Sequence, residues 1–164
     1  MTAISASGIS ANVPAGWDGR ISVRGGGAAT ALHAEAGEFV MDVRAYTVVH
    51  LANFALPEAR GDFGSGAVEL MGPNDVFIVL FEYEPSAVET ALFASHAIPW
   101  PLPLTAFDPS RLKRAIRGQA GAQSFFQTAG RAFCLYVVLG SSTRRAALVP
   151  PVNQVLGTVT IAPG

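Results

Sequence analysis

The chain has 164 residues, of which half are hydrophobic and only 14% are charged. This composition excludes intrinsic disorder, which is typical of chains with few apolar residues and high charge. The length predicts a single globular domain, residues 1–164, that is large enough to fold without a metal or a disulfide. The formal net charge is −1 and the basic residues are spread along the chain, which argues against nucleic acid as a partner.

The sequence carries no signal for export or for membrane insertion. It begins without the basic and apolar regions of a signal peptide, and no window approaches the roughly 18 apolar residues that span a bilayer. We therefore expect a cytoplasmic protein without a transmembrane segment, unless a leader has been removed. The low charge leaves two interpretations open: an unusually well-buried core, or apolar surface that another subunit covers in an oligomer.

The first third of the chain predicts strands. Residues 4–13 alternate in polarity and are interrupted at Gly8, and a proline–glycine turn leads into a second run at residues 17–23. This pattern predicts a hairpin with a buried Trp17. Strand character returns at residues 44–54.

The middle of the chain predicts one buried strand and two helices. Residues 76–81 form a continuous run of β-branched and aromatic residues, which is typical of a strand buried on both faces. Residues 86–95 begin with the spacing of a capping box, which predicts a short helix. Residues 108–118 combine a capping aspartate, a first-turn proline and a terminal glycine, which predicts a second helix. Between the two, alternating prolines predict extended chain over residues 97–104.

The closing part of the chain predicts the centre of the fold. Residues 131–139 are apolar on both sides of an extended chain, which predicts a central strand in a hairpin with residues 119–127. A helix is expected to begin near Pro150 and to end at Gly157, before a last strand at residues 158–161. Strands outnumber helices, so the predicted fold class is α+β, with a central, mostly antiparallel β-sheet flanked by a few short helices.

Both ends of the chain resemble a known family. The segment Ile9-Ser-Ala-Asn-Val-Pro-Ala-Gly-Trp17 is a strand that enters a Pro-x-Gly-Trp corner. The chain closes with a strand, a helix and a short strand after Asn153-Gln154-Val155-Leu156. These features resemble the start and the finish of PsbP-like domains. The resemblance implies a central antiparallel sheet between helices and a non-catalytic accessory or partner-binding role, but it supplies no binding residues. Residues 61–66 and 99–103 depart from the family pattern.

Motifs for catalysis and metal binding are incomplete. The tripeptide Asp62-Phe63-Gly64 matches the magnesium-binding motif of protein kinases, but the sequence lacks the other kinase motifs. Three glycines at 25–27 lack the residues that complete a phosphate-binding loop. The three histidines, His33, His50 and His96, have no metal-ligand spacing. The single cysteine, Cys134, lies in an apolar strand, where burial would raise its thiol pKa. We therefore expect neither a metal nor a cofactor.

Two charged groups have both a functional and a structural interpretation. Glu82 and Glu84 lie on one side of an extended chain, as paired acid–base carboxylates do, although solvation at the end of a buried strand explains them without catalysis. The only cluster of basic residues lies on the second predicted helix and consists of Arg111, Lys113, Arg114 and Arg117. These side chains would either hold an acidic partner or form a solvated helix surface.

The segment around Trp100 is the strongest candidate for a contact surface. A tryptophan between prolines presents a rigid apolar surface at little entropic cost, as binding hot spots do. The alternative interpretation is a loop that lies over the open side of the sheet with Trp100 buried. The sequence therefore favours a non-catalytic binding or accessory module that associates with a protein partner or with itself through Pro99, Trp100, Pro101, Arg111 and Arg114. Two alternatives stay open: a small-molecule-binding protein or enzyme with a pocket between sheet and helices, and a structural subunit of a larger assembly.

Overall fold

The computed structural model describes residues 1–25, 31–34, 37–40 and 45–164, and gives only the backbone for 31–34 and 37–40. Its strands are β1 Thr2–Ala6, β2 Ile9–Val13, β3 Asp18–Arg24, β4 Ala31–Ala34, β5 Gly37–Val40, β6 Tyr46–Ala52, β7 Val76–Glu82, β8 Ala120–Thr128, β9 Arg131–Leu139 and β10 Thr160–Ile161. The α-helix of the described ranges, α1, is Arg145–Leu156. Short 3₁₀ turns lie at Val68–Leu70, Pro85–Glu89, Ala91–Phe93, Leu104–Ala106, Pro109–Arg111 and Ser142–Arg144. The predicted α+β class with a mostly antiparallel sheet is confirmed.

A five-stranded antiparallel sheet forms the centre of the molecule, in the order β3-β6-β7-β9-β8. Strand β9 lies between β7 and β8, and all of its nine residues are buried, as its two apolar faces predicted. The predicted hairpin of β8 and β9 is also present. Its turn residues Ala129 and Gly130 have φ values of 52° and 73°, which is the conformation of a tight type I′ turn.

One face of this sheet packs against a second layer of regular structure. In that layer β2 pairs with β1 on one side and with β10 on the other, and α1 contacts β2. No helix in the described ranges is long and apolar enough to cross a membrane. Residues 97–107 belong to the same layer, which contributes to the core Ile9, Ala11, Val13, Leu102, Phe107, Leu148, Val149, Val152, Val155 and Leu156.

The opposite face of the sheet is covered by irregular chain. Residues 53–72 and 108–119 lie across it and place apolar side chains against β6, β7 and β9. The contributing residues are Phe54, Leu56, Phe63, Ala67, Val68, Met71, Leu112 and Ile116. Strands β6, β7 and β9 are therefore largely buried on both faces by two covers of different construction, whereas the edge strand β3 is partly exposed.

The two covers differ in charge. Residues 1–17, 97–107 and 146–164 contain no Asp, Glu, Lys, Arg or His, and they form the cover that contains β1, β2, β10 and most of α1. We call this cover the uncharged layer. The irregular cover, residues 53–72 and 108–119, is the charged layer, because it carries Glu58, Arg60, Asp62, Glu69, Asp108, Arg111, Lys113, Arg114 and Arg117.

The helix predicted at residues 108–118 is wrong. Asp108 caps only one 3₁₀ turn, and it also exchanges two backbone hydrogen bonds with Gly121, at 2.9 and 3.0 Å. Beyond the turn, the amide of Lys113 donates to the hydroxyl oxygen of Tyr136 at 2.9 Å, and not to the carbonyl four residues earlier as in an α-helix. Tertiary partners therefore hold this segment in an extended path.

The helix predicted at residues 86–95 is wrong for a similar reason. The segment forms two short 3₁₀ turns, and neither has a side-chain cap. The side-chain amide of Gln127 donates to the carbonyls of Val88 and Phe93, at 3.0 and 2.8 Å. The carbonyl of Val88 is thus held by strand β8, whereas an α-helix would use it internally.

Two predictions near the chain ends also differ from the structure. The predicted hairpin before and after the Trp17 corner is wrong, because this corner carries the chain from one sheet to the other and strands β2 and β3 do not pair. Trp17, which was predicted to be buried, is half-buried. Helix α1 begins before Pro150 and Pro151, which lie inside it. A proline has no amide hydrogen, so two carbonyls of the preceding turn have no helical partner. These carbonyls lie on the exposed side of the helix, where water can donate to them instead.

Arg44, two of the three glycines at 25–27, and the side chain of His33 lie outside the described residues.

Candidate functional site

The proline-rich segment lies along α1 and is fixed there by one asparagine. The side chain of Asn153 accepts a hydrogen bond from the amide of Leu102 at 2.8 Å and donates one to the carbonyl of Leu102 at 3.0 Å. The backbone carbonyl of Asn153 accepts a third hydrogen bond from Nε1 of Trp100 at 2.7 Å. Because Leu102 is buried, the segment between these contacts is anchored to the core.

Helical spacing explains why one face of α1 can hold the whole segment. Arg145, Asn153 and Gly157 are separated by multiples of four residues and therefore share a row along the helix. At one end of the row, Nη1 of Arg145 donates to the carbonyl of Phe107 at 2.9 Å. At the other end, a Cβ on Gly157 would lie 3.0 Å from the ring of Trp100, so the indole approaches the helix closely because this residue is glycine.

Trp100 is on the surface, although its ring nitrogen is paired. The residue is 55% exposed, and Leu104 is 45% exposed. On the outer side of α1, Ala146, Ala147 and Pro150 are exposed, and Ala146 lines the same depression as Leu104. We call this set the Trp100 surface: Trp100, Pro101, Pro103, Leu104, Ala146, Ala147 and Pro150. It is the exposed apolar part of the uncharged layer.

The structure separates the predicted contact residues. Pro99 is half-buried and Pro101 is exposed, and both flank Trp100. Nη1 of Arg111 donates to the carbonyl of Ala106 at 2.8 Å, which places Arg111 at the end of the proline segment. Arg114 instead forms an ion pair with Glu69 at 3.0 Å in the charged layer. The four basic residues do not share a helix face, because their segment is not helical.

The sequence analysis missed Asn153 and the outer side of α1. An asparagine inside a helix has no sequence signal for the role of Asn153, because its partners lie 51 positions away in the chain. A signal for the surface itself was present in the sequence: residues 97–107 and 146–164 carry no ionisable side chain. Two such segments brought together by the fold give an uncharged exposed surface.

The Asp62-Phe63-Gly64 tripeptide takes part in a buried network. The Nε2–H of His50 donates to the backbone carbonyl of Asp62 at 2.8 Å, and Nε of Arg60 donates to Nδ1 of His50 at 2.8 Å. The Asp62 carboxylate accepts a hydrogen bond from the hydroxyl of Tyr46 at 3.0 Å and lies 3.0 Å from Nε of Arg24. Burial lowers the pKa of His50 to about 4. Both ring nitrogens are engaged, so His50 ties the loop to β6 and has no free atom for acid–base chemistry.

Glu82 is not a free carboxylate. Its two oxygens accept hydrogen bonds from Nε and Nη2 of Arg131, at 2.7 and 2.9 Å, and the two side chains are only 18% and 8% exposed. Solvation at the strand end is therefore the wrong explanation for Glu82, whereas Glu84 is exposed. Cys134 is buried and burial raises its pKa, as predicted. Among the residues that the structure describes, no three His, Cys, Asp or Glu side chains gather as metal ligands would.

Comparisons of the chain with protein-family models, with curated proteins and with solved structures found no match. The resemblance to PsbP-like domains stays a prediction. The Trp100 surface is therefore the feature of this structure from which we propose a function.

Proposed function

We propose that this protein is a non-catalytic binding module that associates with a second copy of itself through the Trp100 surface. The observation that supports it is a half-exposed tryptophan, held rigidly by Asn153, in an exposed apolar surface whose own residues carry no charge. Aromatic residues in such positions contribute a large share of the binding energy in protein interfaces.

The way in which Trp100 is held favours association. The indole and the adjacent backbone are fixed by three hydrogen bonds from a single residue of α1. A contact segment that is already ordered loses little conformational entropy on binding, which increases the affinity. The ring nitrogen is already paired, so a partner need only cover the apolar ring face.

The absence of charge favours a second copy as the partner. A two-fold dimer places the same patch opposite itself, and any charge near the axis then faces a like charge. The Trp100 surface has no such charge, whereas the charged layer would bring its cations and carboxylates close to their own copies. The Trp100 surface itself therefore adds no like-charge repulsion near the axis, and the nearest cations, Arg111 and Arg145, lie beside its Leu104 end.

A matched pair of substitutions tests the proposal. Leu104 and Leu70 are both exposed leucines of short 3₁₀ turns, one in the Trp100 surface and one in the charged layer. Sedimentation equilibrium of the wild-type chain over a wide concentration range should show a dimer. Leu104→Arg should abolish the dimer by placing two like charges in the interface, and Leu70→Arg should leave it intact.

Trp100→Ala sharpens the same test. Loss of this tryptophan should weaken dimerisation by about 30-fold or more, which corresponds to the roughly 2 kcal/mol that defines a hot spot. The melting temperature of a monomeric variant such as Leu104→Arg provides the reference for stability. A wild-type chain that sediments as a monomer at all concentrations, or equal effects of Leu104→Arg and Leu70→Arg, would contradict the proposal.

A further inference from the structure

A cavity of about 290 Å³ lies in the charged layer, away from the Trp100 surface. Its lining comes from four separate parts of the chain: the loop after β6, the Val68–Leu70 turn, the segment before β8, and β9. The lining residues combine two cations, two hydroxyls and two apolar side chains, namely Lys113, Arg114, Ser65, Tyr136, Phe63 and Val68.

The extended path of residues 112–114 creates this cavity. The hydrogen bond from the amide of Lys113 to the hydroxyl oxygen of Tyr136 holds Lys113 beside β9. Its Nζ then lies 4.2 Å from the ring centroid of Phe63 and 5.8 Å from that of Tyr136. The ammonium group is thus held over the Phe63 ring at the cavity wall, where a cation–π contact favours its position.

Tyr136 supplies a donor at the base of the cavity. The residue is 2% exposed, and its oxygen accepts the Lys113 amide hydrogen. A phenol has one hydrogen to donate as well, and no described residue accepts it. Burial raises the pKa of Tyr136, so the hydroxyl stays protonated and able to donate at neutral pH. A buried donor beside a cation is suited to an oxyanion.

The charge around the cavity is positive on balance. Glu69 forms an ion pair with Arg114 at 3.0 Å and accepts a hydrogen bond from the amide of Gly66 at 2.7 Å. Its single negative charge offsets Arg114 and leaves the charge of Lys113 in excess. The Glu69 carboxylate also orients the guanidinium at the edge of the cavity.

We propose that this cavity binds a small organic anion, a carboxylate or phosphate monoester that carries an apolar group. The oxyanion lies between the Lys113 ammonium, the Tyr136 hydroxyl and Arg114, and the apolar group packs against Phe63 and Val68. This site is independent of dimerisation, because none of its residues belongs to the Trp100 surface.

Calorimetric titration of the full chain with four probes tests the site. Phenyl phosphate and benzoate should both bind. Benzamide, which lacks the charge, and inorganic phosphate, which lacks the apolar group, should each bind at least about tenfold more weakly. Equal binding of benzamide and benzoate, or no binding of either organic anion at millimolar concentration, would overturn the proposal.

Variants assign the binding to these residues. Lys113→Met and Tyr136→Phe should each weaken binding of the better organic anion by about tenfold, and the exposed Arg117→Met, which does not line the cavity, should leave it unchanged. Thermal unfolding identifies any variant that is not folded at the titration temperature. Because Tyr136→Phe also removes the acceptor of the Lys113 amide, Lys113→Gln provides a second test that leaves this acceptor in place. Unchanged binding in folded Lys113→Met and Lys113→Gln would contradict the site, and intact dimerisation in both would separate this result from the proposed function.

Discussion

The two covers of the central sheet bury similar apolar faces but hold themselves in place by different means. The uncharged layer is fixed by regular strands, a helix and the neutral hydrogen bonds of Asn153, with the arginine donors Arg145 and Arg131 at its edges. The charged layer is irregular and is fixed by charged or ionisable groups such as Arg60, His50 and Asp62. The charged layer packs against the buried His50 and is therefore the part expected to respond to pH, whereas the uncharged layer exposes an apolar surface.

Arg131 joins the uncharged layer to the central sheet. Its guanidinium binds both oxygens of Glu82 and donates to the carbonyl of Ala162 at 3.1 Å, beyond β10. We expect Arg131→Met to lower the free energy of unfolding by about 3–5 kcal/mol, because a largely buried carboxylate is left without its partner. Chemical denaturation measures this change.

Arg20→Met is the matched control for this prediction. Arg20 also pairs with a carboxylate, that of Asp18 at 3.3 Å, but its side chain is 60% exposed. We expect a change within about 0.5 kcal/mol, since exposed ion pairs contribute little. Similar losses for the two arginines would show that the link between the layers does not depend on the buried pair.

His50 makes the charged layer sensitive to acid. Its pKa is about 4 in the folded protein, below the 6.5 of an unperturbed histidine, so the unfolded chain binds more protons between these pH values. Stability therefore rises with pH through this window and is lost as pH falls, by on the order of 3 kcal/mol in total. His50→Gln should flatten the slope of unfolding free energy against pH between 6.5 and 4.

The experiment has to distinguish the effect of His50 on the pH dependence of stability from the effects of the charged groups next to it. Arg60, Arg24 and Asp62 all lie in its network. His96→Gln changes an exposed histidine and is the control. If both variants keep the wild-type slope, His50 is not the source of the acid sensitivity.

Asn153 is the corresponding test in the uncharged layer. Asn153→Ala leaves the amide and carbonyl of Leu102 without partners and should cost about 1–3 kcal/mol. The neighbouring Gln154→Ala, at an exposed position, should change stability by less than about 0.5 kcal/mol. Denaturation curves give both values. A loss in Asn153→Ala no larger than in Gln154→Ala would mean that packing alone holds the proline segment.

The sequence predicted the strands of the sheet better than the segments around it. Strands β7 and β9 were predictable because residues 76–81 and 131–139 are apolar on both sides, and a sheet covered on both faces is the structure that buries such runs. The β8–β9 turn was predictable because its signal is local. These elements depend little on which distant residues meet them.

The helix predictions failed where distant partners decided the backbone. The local signals at residues 108–118 favour a helix, but Tyr136 and Gly121 take hydrogen bonds from this segment. Gln127 acts in the same way on residues 86–95. The candidate site shows the same limit: the sequence indicated Trp100, but its exposure depends on Asn153, which the chain order does not connect with it.

If a second copy covers Trp100, the solvent exposure of its ring must fall when the protein dimerises. In a Trp17→Phe background, Trp100 is the remaining tryptophan, and acrylamide quenching of its emission reports its exposure directly. We expect quenching to decrease as protein concentration rises through the dimerisation range, and this dependence to disappear in Leu104→Arg. Quenching that stays constant over that range while the protein dimerises would place the interface elsewhere and would contradict the proposal that Trp100 lies in it.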